Sequence, residues 1–165
     1  MKELTENDAM MRLSALCSQA EHCVWEMRQK MQRWGLPEEM QDRVLQYLTE
    51  EKYVDEERYC RAFAHDKIRY NKWGRRKVEA ALMAKRIPRE IFQTVLDEVD
   101  DEEYLKVLRP LLETRRRQLK GLDGYALNSR LFRFAAGRGF TTDIIRKCLD
   151  DDGWQEDDAD DEFLA

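Results

Sequence analysis

Arg69, Lys72, Trp73, Arg75, Arg76 and Lys77 place five cations and an indole in one short stretch of sequence. Guanidinium and ammonium groups recognise phosphate and carboxylate oxygens, and an aromatic ring adds a stacking surface. The chemistry on offer is the binding of a polyanion, either a nucleic-acid backbone or an acidic protein face. Arg75, Arg76 and Lys77 fall in the first turn of an expected helix, where the macrodipole disfavours exposed positive charge by about 0.3 to 1 kcal/mol each. A sequence shaped only by stability would seldom place them there. The plainer alternative is a solvated helix start with Trp73 as a packing staple. Lys85, Arg86 and Arg89 surround the next turn, and Arg115, Arg116 and Arg117 with Lys120 end a later helix. At that end cations complement the dipole, so helix stabilisation explains them as well as binding does.

Other chemistries find little support. Cys17, His22 and Cys23 are close in sequence, but no second pair at matching spacing completes a tetrahedral metal site. No Gly-rich phosphate loop, nucleophile elbow or paired-His spacing occurs, and His22 stands far from His65. The expectation is a non-enzyme without metal or cofactor. Met1-Lys2-Glu3-Leu4 lacks the apolar core of a secretion signal, and no apolar run approaches bilayer-spanning length. A cytoplasmic protein with no membrane contact is expected, with Cys17, Cys23, Cys60 and Cys148 as reduced thiols.

Charge is unevenly placed along the chain. Of the 34 Asp and Glu residues, nine lie in 150–165, which holds no Lys or Arg; the remaining 25 face 29 Lys and Arg. The net charge of −5 therefore hides a body that is positive by four. The acidic end reads as a solvated, disordered tail; the sharper reading has its carboxylates imitate phosphate and fold back on the basic surface.

The elements that position these residues are helical. Apolar residues recur at helical spacing, 42% of the 165 residues are apolar, and there are only 3 prolines and 7 glycines. The apolar skeleton also repeats. Subtracting 51 from Ile87, Ile91, Val95, Leu96 and Val99 gives Leu36, Met40, Val44, Leu45 and Leu48. Adding 53 to Val78, Leu82, Ile87, Ile91, Val95 and Leu96 gives Leu131, Ala135, Phe140, Ile144, Cys148 and Leu149. A unit of about fifty residues therefore occurs three times, each copy resolving into three short helices. In the central copy Asp55 is expected to cap a helix whose inner face is Tyr59, Ala62, Phe63 and Tyr70, and Trp73-Gly74 ends it. A second helix from Arg75 turns Val78, Ala81 and Leu82 inward, and Ile87-Pro88 opens a third lined by Ile91, Val95, Leu96 and Val99. Thr5 to Asp8 reads as a capping-box variant, and Asp100-Asp101 as the start of the third copy. The expected domains are 1–52, 53–99 and 100–150 as three-helix repeats, with 151–165 as the acidic tail. Such units either stack into an array or close as small compact domains.

The motifs themselves resemble a known family. Tyr53-Val54-Asp55-Glu56-Glu57-Arg58-Tyr59-Cys60-Arg61-Ala62-Phe63, followed by Trp73-Gly74-Arg75-Arg76-Lys77-Val78 and then Leu82, Lys85 and Ile87, is similar to the central signature of the RecX regulatory proteins, bacterial modulators of the RecA recombinase. The resemblance runs over about residues 5 to 150 through the three-unit layout, closest in the middle and weakest in the third unit. It implies three tandem, helix-turn-helix-like units forming an elongated, curved molecule. It also implies a protein that lodges in the groove of the RecA filament on single-stranded DNA and either restrains its ATPase and strand exchange or promotes filament disassembly, in recombination and DNA repair, with direct binding to single- and double-stranded DNA; a monomer is expected. Arg86 stands where a Gly commonly precedes the apolar residue, whereas Gly35 and Gly139 keep that Gly in the flanking units. The central turn is therefore expected to be built differently. On this reading Arg69, Lys72, Trp73, Arg75, Arg76 and Lys77 are the leading contacts, with Lys85, Arg89, Arg115, Arg116, Arg117 and Lys120 secondary. The rival readings are a helix-turn-helix DNA-binding protein and a helical scaffold with no nucleic acid involved.

Overall fold

The structure, a computed structural model, describes residues 3–149. Among these residues the chain is all-α, with no strand. Its helices are α1 (Glu6–Gln19), α2 (Val24–Arg33), α3 (Glu38–Glu50), α4 (Glu56–Arg69), α5 (Arg75–Ala84), α6 (Arg89–Asp97), α7 (Asp101–Gln118), α8 (Gly124–Gly137) and α9 (Thr142–Leu149). The acidic segment expected as a tail lies outside the described residues.

Helix starts follow the chemistry of their caps. Thr5 Oγ1 accepts from Asp8 N at 3.1 Å while Asp8 Oδ2 accepts from Thr5 N at 3.2 Å, which completes the capping box of α1. Asp55 Oδ1 accepts from Arg58 N at 3.0 Å at the head of α4. Asp100 takes the N-cap position of α7 without a side-chain cap bond, and Asp101, Glu102 and Glu103 supply favourable charge in the first turn instead.

Helix ends decide which residues face inward. α4 stops at Arg69, so the expected inner face is corrected: Tyr59, Cys60, Ala64 and Ile68 are buried, Ala62 and Phe63 are half-buried, and Tyr70 is 69% exposed. In α6 the expected face holds at Val95 and Leu96, both buried, but Phe92 is buried where Ile91 is only half so, and Val99 lies past the helix end and is half-buried.

The chain packs as two compact units. One joins the described chain through Phe63 to Ala81–Val95, the other joins Ala64–Ala80 to the chain from Leu96. In the first, Leu13, Met27, Met31, Val44 and Leu48 are fully buried, each side chain contributing about 1.5–3 kcal/mol relative to exposure. The start of α4 is tied to earlier elements of that unit. Glu56 Oε1 accepts from Val24 N at 2.9 Å, capping the head of α2, and Arg58 Nε donates to Glu21 Oε1 at 2.6 Å. In the second unit Leu108, Leu131, Ala135, Ile145 and Leu149 form the fully buried centre.

One turn recurs at equivalent places in α2, α5 and α8, and also ends α3, where Lys52 N donates to Thr49 O and Tyr53 N to Leu48 O with Lys52 at φ 60°. Gly35 N donates to Gln32 O and Leu36 N to Met31 O; Arg86 N to Met83 O and Ile87 N to Leu82 O; Gly139 N to Ala136 O and Phe140 N to Ala135 O. This is the paired bonding of a Schellman ending, which requires a left-handed residue after the helix. Gly35, Arg86 and Gly139 have φ of 71°, 57° and 91°. The expectation of a differently built central turn is thus corrected: Arg86 adopts the same left-handed conformation and accepts its steric cost, about 1–2 kcal/mol for a residue with a Cβ.

Within the second unit, Gly74 lies against the turn between α8 and α9. Gly74 N donates to Arg138 O and Arg76 N to Gly139 O, both at 2.9 Å, satisfying donors that the start of α5 leaves open. A Cβ on Gly74 would overlap Phe140 N, Phe140 Cα and Gly139 C, all of them backbone. Gly74→Ala is therefore expected to destabilise the protein by about 1–3 kcal/mol, seen as a lower thermal midpoint by circular dichroism. Arg86→Gly is expected to raise stability by roughly 0.5–1 kcal/mol, the relief of strain exceeding the added freedom of the unfolded chain. A fall in the denaturant midpoint for Arg86→Gly would show that the arginine side chain stabilises the turn more than its backbone strains it.

Candidate functional site

The basic and aromatic stretch occupies the end of α4, the turn after it and the head of α5. Tyr70 N donates to Asp66 O at 2.9 Å and Trp73 N to Lys67 O at 3.0 Å, folding the turn back against the end of α4. Lys72 reaches this path with φ of 60°, another left-handed residue that carries a side chain. Backbone bonds on both sides, together with the contact at Gly74, hold the segment in place. Its side chains are presented from a fixed frame.

Each cation has a distinct environment. Lys67 Nζ and Lys77 Nζ lie 5.0 and 4.8 Å from the centroid of the half-buried Trp73 ring. Attraction to the ring quadrupole gathers the two ammoniums around one indole, each contact being worth about 0.5–1 kcal/mol at exposed sites. Trp73 is therefore both a packing residue and an organiser of charge. Arg69 is exposed, with Nη1 3.2 Å from His65 Nε2. Arg76 and Lys77 are exposed on the first turn of α5.

Arg75 differs from its neighbours. Its Nε donates to Glu79 Oε1 at 2.8 Å and its Nη2 to Asp97 Oδ1 at 2.6 Å, and its side chain is 26% exposed. Burial disfavours the charge on this guanidinium, but the hydrogen bonds to Asp97 and Glu79 outweigh it and raise the pKa. The two carboxylates also offset the positive charge that the macrodipole opposes at this position. Arg75 thus links α5 to the end of α6, with its Nε and one Nη2 donor engaged inside the molecule.

A cleft beside Arg75 and Arg76 is also lined by Glu79, Asp101, Tyr104 and Asp143. Acidic and basic groups are mixed there, so neither sign prevails. The Tyr104 hydroxyl is buried without a hydrogen-bond partner, and burial pushes its pKa up to about 12.

The remaining predicted residues separate into other groups. Arg115, at 5.3 Å, and Arg138, at 5.2 Å, both approach the Phe134 ring, and Arg115 Nη1 donates to Gln118 Oε1 at 3.1 Å. Arg116 is half-buried, while Arg117 and Lys120 are exposed near the end of α7. Lys85 and Arg89 belong to the first compact unit. Lys85 Nζ sits 3.6 Å from Glu26 Oε2 and 5.6 Å from the Trp25 centroid, so it is engaged within that unit, and Arg89 is exposed.

Sequence reasoning missed two residues. Lys67 was hidden among helix-surface charges, and Tyr70 was assigned to the core by extending the α4 periodicity one residue past its end. Asn71-Lys72 ahead of Trp73-Gly74 was the available signal that the helix had already stopped. The thiols offer no competing site. Burial raises the pKa of all four, carrying Cys23 and Cys60 to about 12, which keeps them protonated and poorly nucleophilic. Among the described residues no group of three or more His, Cys, Asp or Glu is placed to hold a metal ion, and no helix is long and apolar enough to cross a membrane.

Comparison with known proteins places this arrangement. Sequence models of RecX match twice, the second three-helix domain over residues 55–96 and the third three-helix domain over 101–149, which together take in more than half the chain. A "Regulatory protein RecX" from Chlorobium limicola is 28% identical over 151 residues, covering 90% of this chain and 92% of that protein. One from Thermus thermophilus is 39% identical over 88 residues, 53% of each chain. For the Clostridium perfringens protein of the same name, 28% identical over 126 residues, the match covers 75% of this chain and 58% of that one. The crystal structure of RecX from Lactobacillus salivarius superposes with a TM-score of 0.82 over 88% of this chain and 95% of that one, at 14% identity, a likeness of fold. With the signature at 53–63 and 73–78 leading into and along α4 and α5, the chain belongs to the RecX family of regulatory proteins.

Proposed function

We propose that this protein binds the RecA recombinase filament on single-stranded DNA and restrains its ATP hydrolysis and strand exchange, with no catalysis of its own. The observation that carries the reading is the surface from Lys67 to Lys77. Arg69, Lys72, Arg76 and Lys77 are exposed on a backbone fixed by hydrogen bonds, and Asp66 is the only acidic residue between Ala64 and Val78. Such a field attracts a polyanion and accelerates its encounter, and a fixed frame reduces the entropy lost on binding. A nucleoprotein filament offers both phosphates and acidic side chains in repeated copies. The Arg115 to Lys120 cations and Arg89 are secondary contacts in this reading, and several weak contacts on one chain combine by effective concentration.

Inhibition requires more than affinity. A ligand shifts a filament between active and inactive or dissociated states only by the difference in its affinity for them. The proposed contacts must therefore fit one filament geometry better than another.

The geometry divides the basic triplet into testable parts. Arg76→Glu with Lys77→Glu is expected to raise the concentration for half-inhibition of DNA-dependent ATP hydrolysis roughly tenfold, about 1.4 kcal/mol, with native circular dichroism. Arg75→Ala is expected to act through stability instead, lowering the unfolding free energy by about 1 kcal/mol because Glu79 and Asp97 lose their shared partner. Its inhibition per folded molecule should stay close to that of the parent protein. Unchanged inhibition by a natively folded Arg76→Glu, Lys77→Glu protein would remove this surface from the function.

A further inference from the structure

The turn after α4 presents an aromatic ring that packing does not explain. Tyr70 is 69% exposed, more than Met11, Met83, Leu122 or Tyr125. Its backbone is fixed by the bond from Tyr70 N to Asp66 O, so the ring is held outside the fold by a defined path. It has one ring neighbour, His65, with centroids 6.4 Å apart and planes at 76°. Trp73 behaves differently: Lys67 and Lys77 already lie over its indole, and it is half-buried. Of the two aromatic residues in this segment, Tyr70 is the one whose surface is available to a ligand.

The charges around it define that ligand. Arg69 and Lys72 flank Tyr70 in sequence and both are exposed, Lys72 held in a left-handed conformation. An exposed ring between two cations matches the repeating pattern of a single-stranded polynucleotide, in which unpaired bases alternate with phosphates. A duplex fits poorly, since its bases are stacked on one another and leave no face for the ring. An acidic protein surface would satisfy Arg69 and Lys72, but a strongly charged face offers the ring no flat apolar surface to stack on, whereas an unpaired base does.

We propose that Tyr70 is a stacking residue for an unpaired nucleobase of single-stranded DNA or RNA, with Arg69 and Lys72 holding the adjacent phosphates. This deepens the proposed function and rests on it for the setting, a filament built on single-stranded DNA. The stacking itself requires only this protein and a polynucleotide.

The test uses the full chain, a labelled oligothymidylate and an abasic oligomer of the same length, with no recombinase present. Tyr70→Ala is expected to weaken binding to oligothymidylate about tenfold and to leave binding to the abasic oligomer unchanged. Tyr70→Phe and Tyr70→Trp should retain binding, because stacking needs the ring and not the hydroxyl. Arg69→Glu with Lys72→Glu should weaken both oligomers. Equal binding of Tyr70→Ala and the parent chain to oligothymidylate, or equal losses on the two oligomers, overturns the inference. So does a parent chain that binds neither oligomer. If Tyr70→Ala relieves recombinase inhibition while oligothymidylate binding is unchanged, the ring belongs to a protein contact and stacking is refuted. The function fails separately: intact, Tyr70-dependent oligonucleotide binding combined with no effect on recombinase ATP hydrolysis would overturn filament regulation and support the stacking site.

Discussion

The approach of the Gly74 backbone to the Gly139-Phe140 turn constrains the second compact unit and the surface it carries. Two main-chain hydrogen bonds, Gly74 N to Arg138 O and Arg76 N to Gly139 O, form only because no Cβ stands between the strands of backbone. They close the head of α5, so the helix begins at Arg75 and not a turn later. That starting point determines which way Arg75, Arg76 and Lys77 project. A shift of one residue would rotate each by about 100° around the helix. The charge pattern therefore depends on a packing contact made by a residue with no side chain.

Adjacent arginines consequently do different work. Arg75 is held by Glu79 and Asp97, whereas Arg76 is exposed at the same helix end. The sequence argument that three cations at a helix start are unfavourable for stability applies to the exposed pair. For Arg75 the two carboxylates supply an internal reason, ion-pair hydrogen bonds of about 1 kcal/mol in all that offset the macrodipole penalty. Residue type alone could not separate these roles, because Asp97 lies 22 positions further along and the pairing is tertiary.

Much of the architecture was legible because it rests on local rules. The 51- and 53-residue offsets located equivalent turns at Gly35, Arg86 and Gly139, and their hydrogen bonds match pair for pair. Thr5, Asp8 and Asp55 cap their helices as their residue types require. Periodicity was less reliable at helix ends. It carried Tyr70 into the core and chose Ile91 over Phe92, since apolar spacing gives the direction of a face but not where the helix carrying it stops. Of the candidate site, the sequence marks the basic and aromatic segment from Arg69 to Lys77. It could not supply the Lys67 and Lys77 contacts with Trp73 or the Arg75 pairing, which depend on side-chain geometry.

Backbone strain adds a quantitative argument about the remaining cations. The described residues with positive φ that are not glycine are Lys52, Lys72 and Arg86, all of them basic. Lys52 and Arg86 follow α3 and α5 directly and Lys72 follows α4 within a turn. At a helix C-terminus a cation gains about 0.3–1 kcal/mol from the macrodipole, against about 1–2 kcal/mol for placing a Cβ in the left-handed region. The dipole thus offsets a good part of the strain but not all of it. For Arg86 a glycine would relieve that difference, as Gly35 and Gly139 do in equivalent turns. Lys72 lies beside the exposed Arg69 and Tyr70. At Lys72 the hydrogen bond from Trp73 N to Lys67 O keeps the turn from relaxing, so the strain is held in the backbone that leads from α4 to α5.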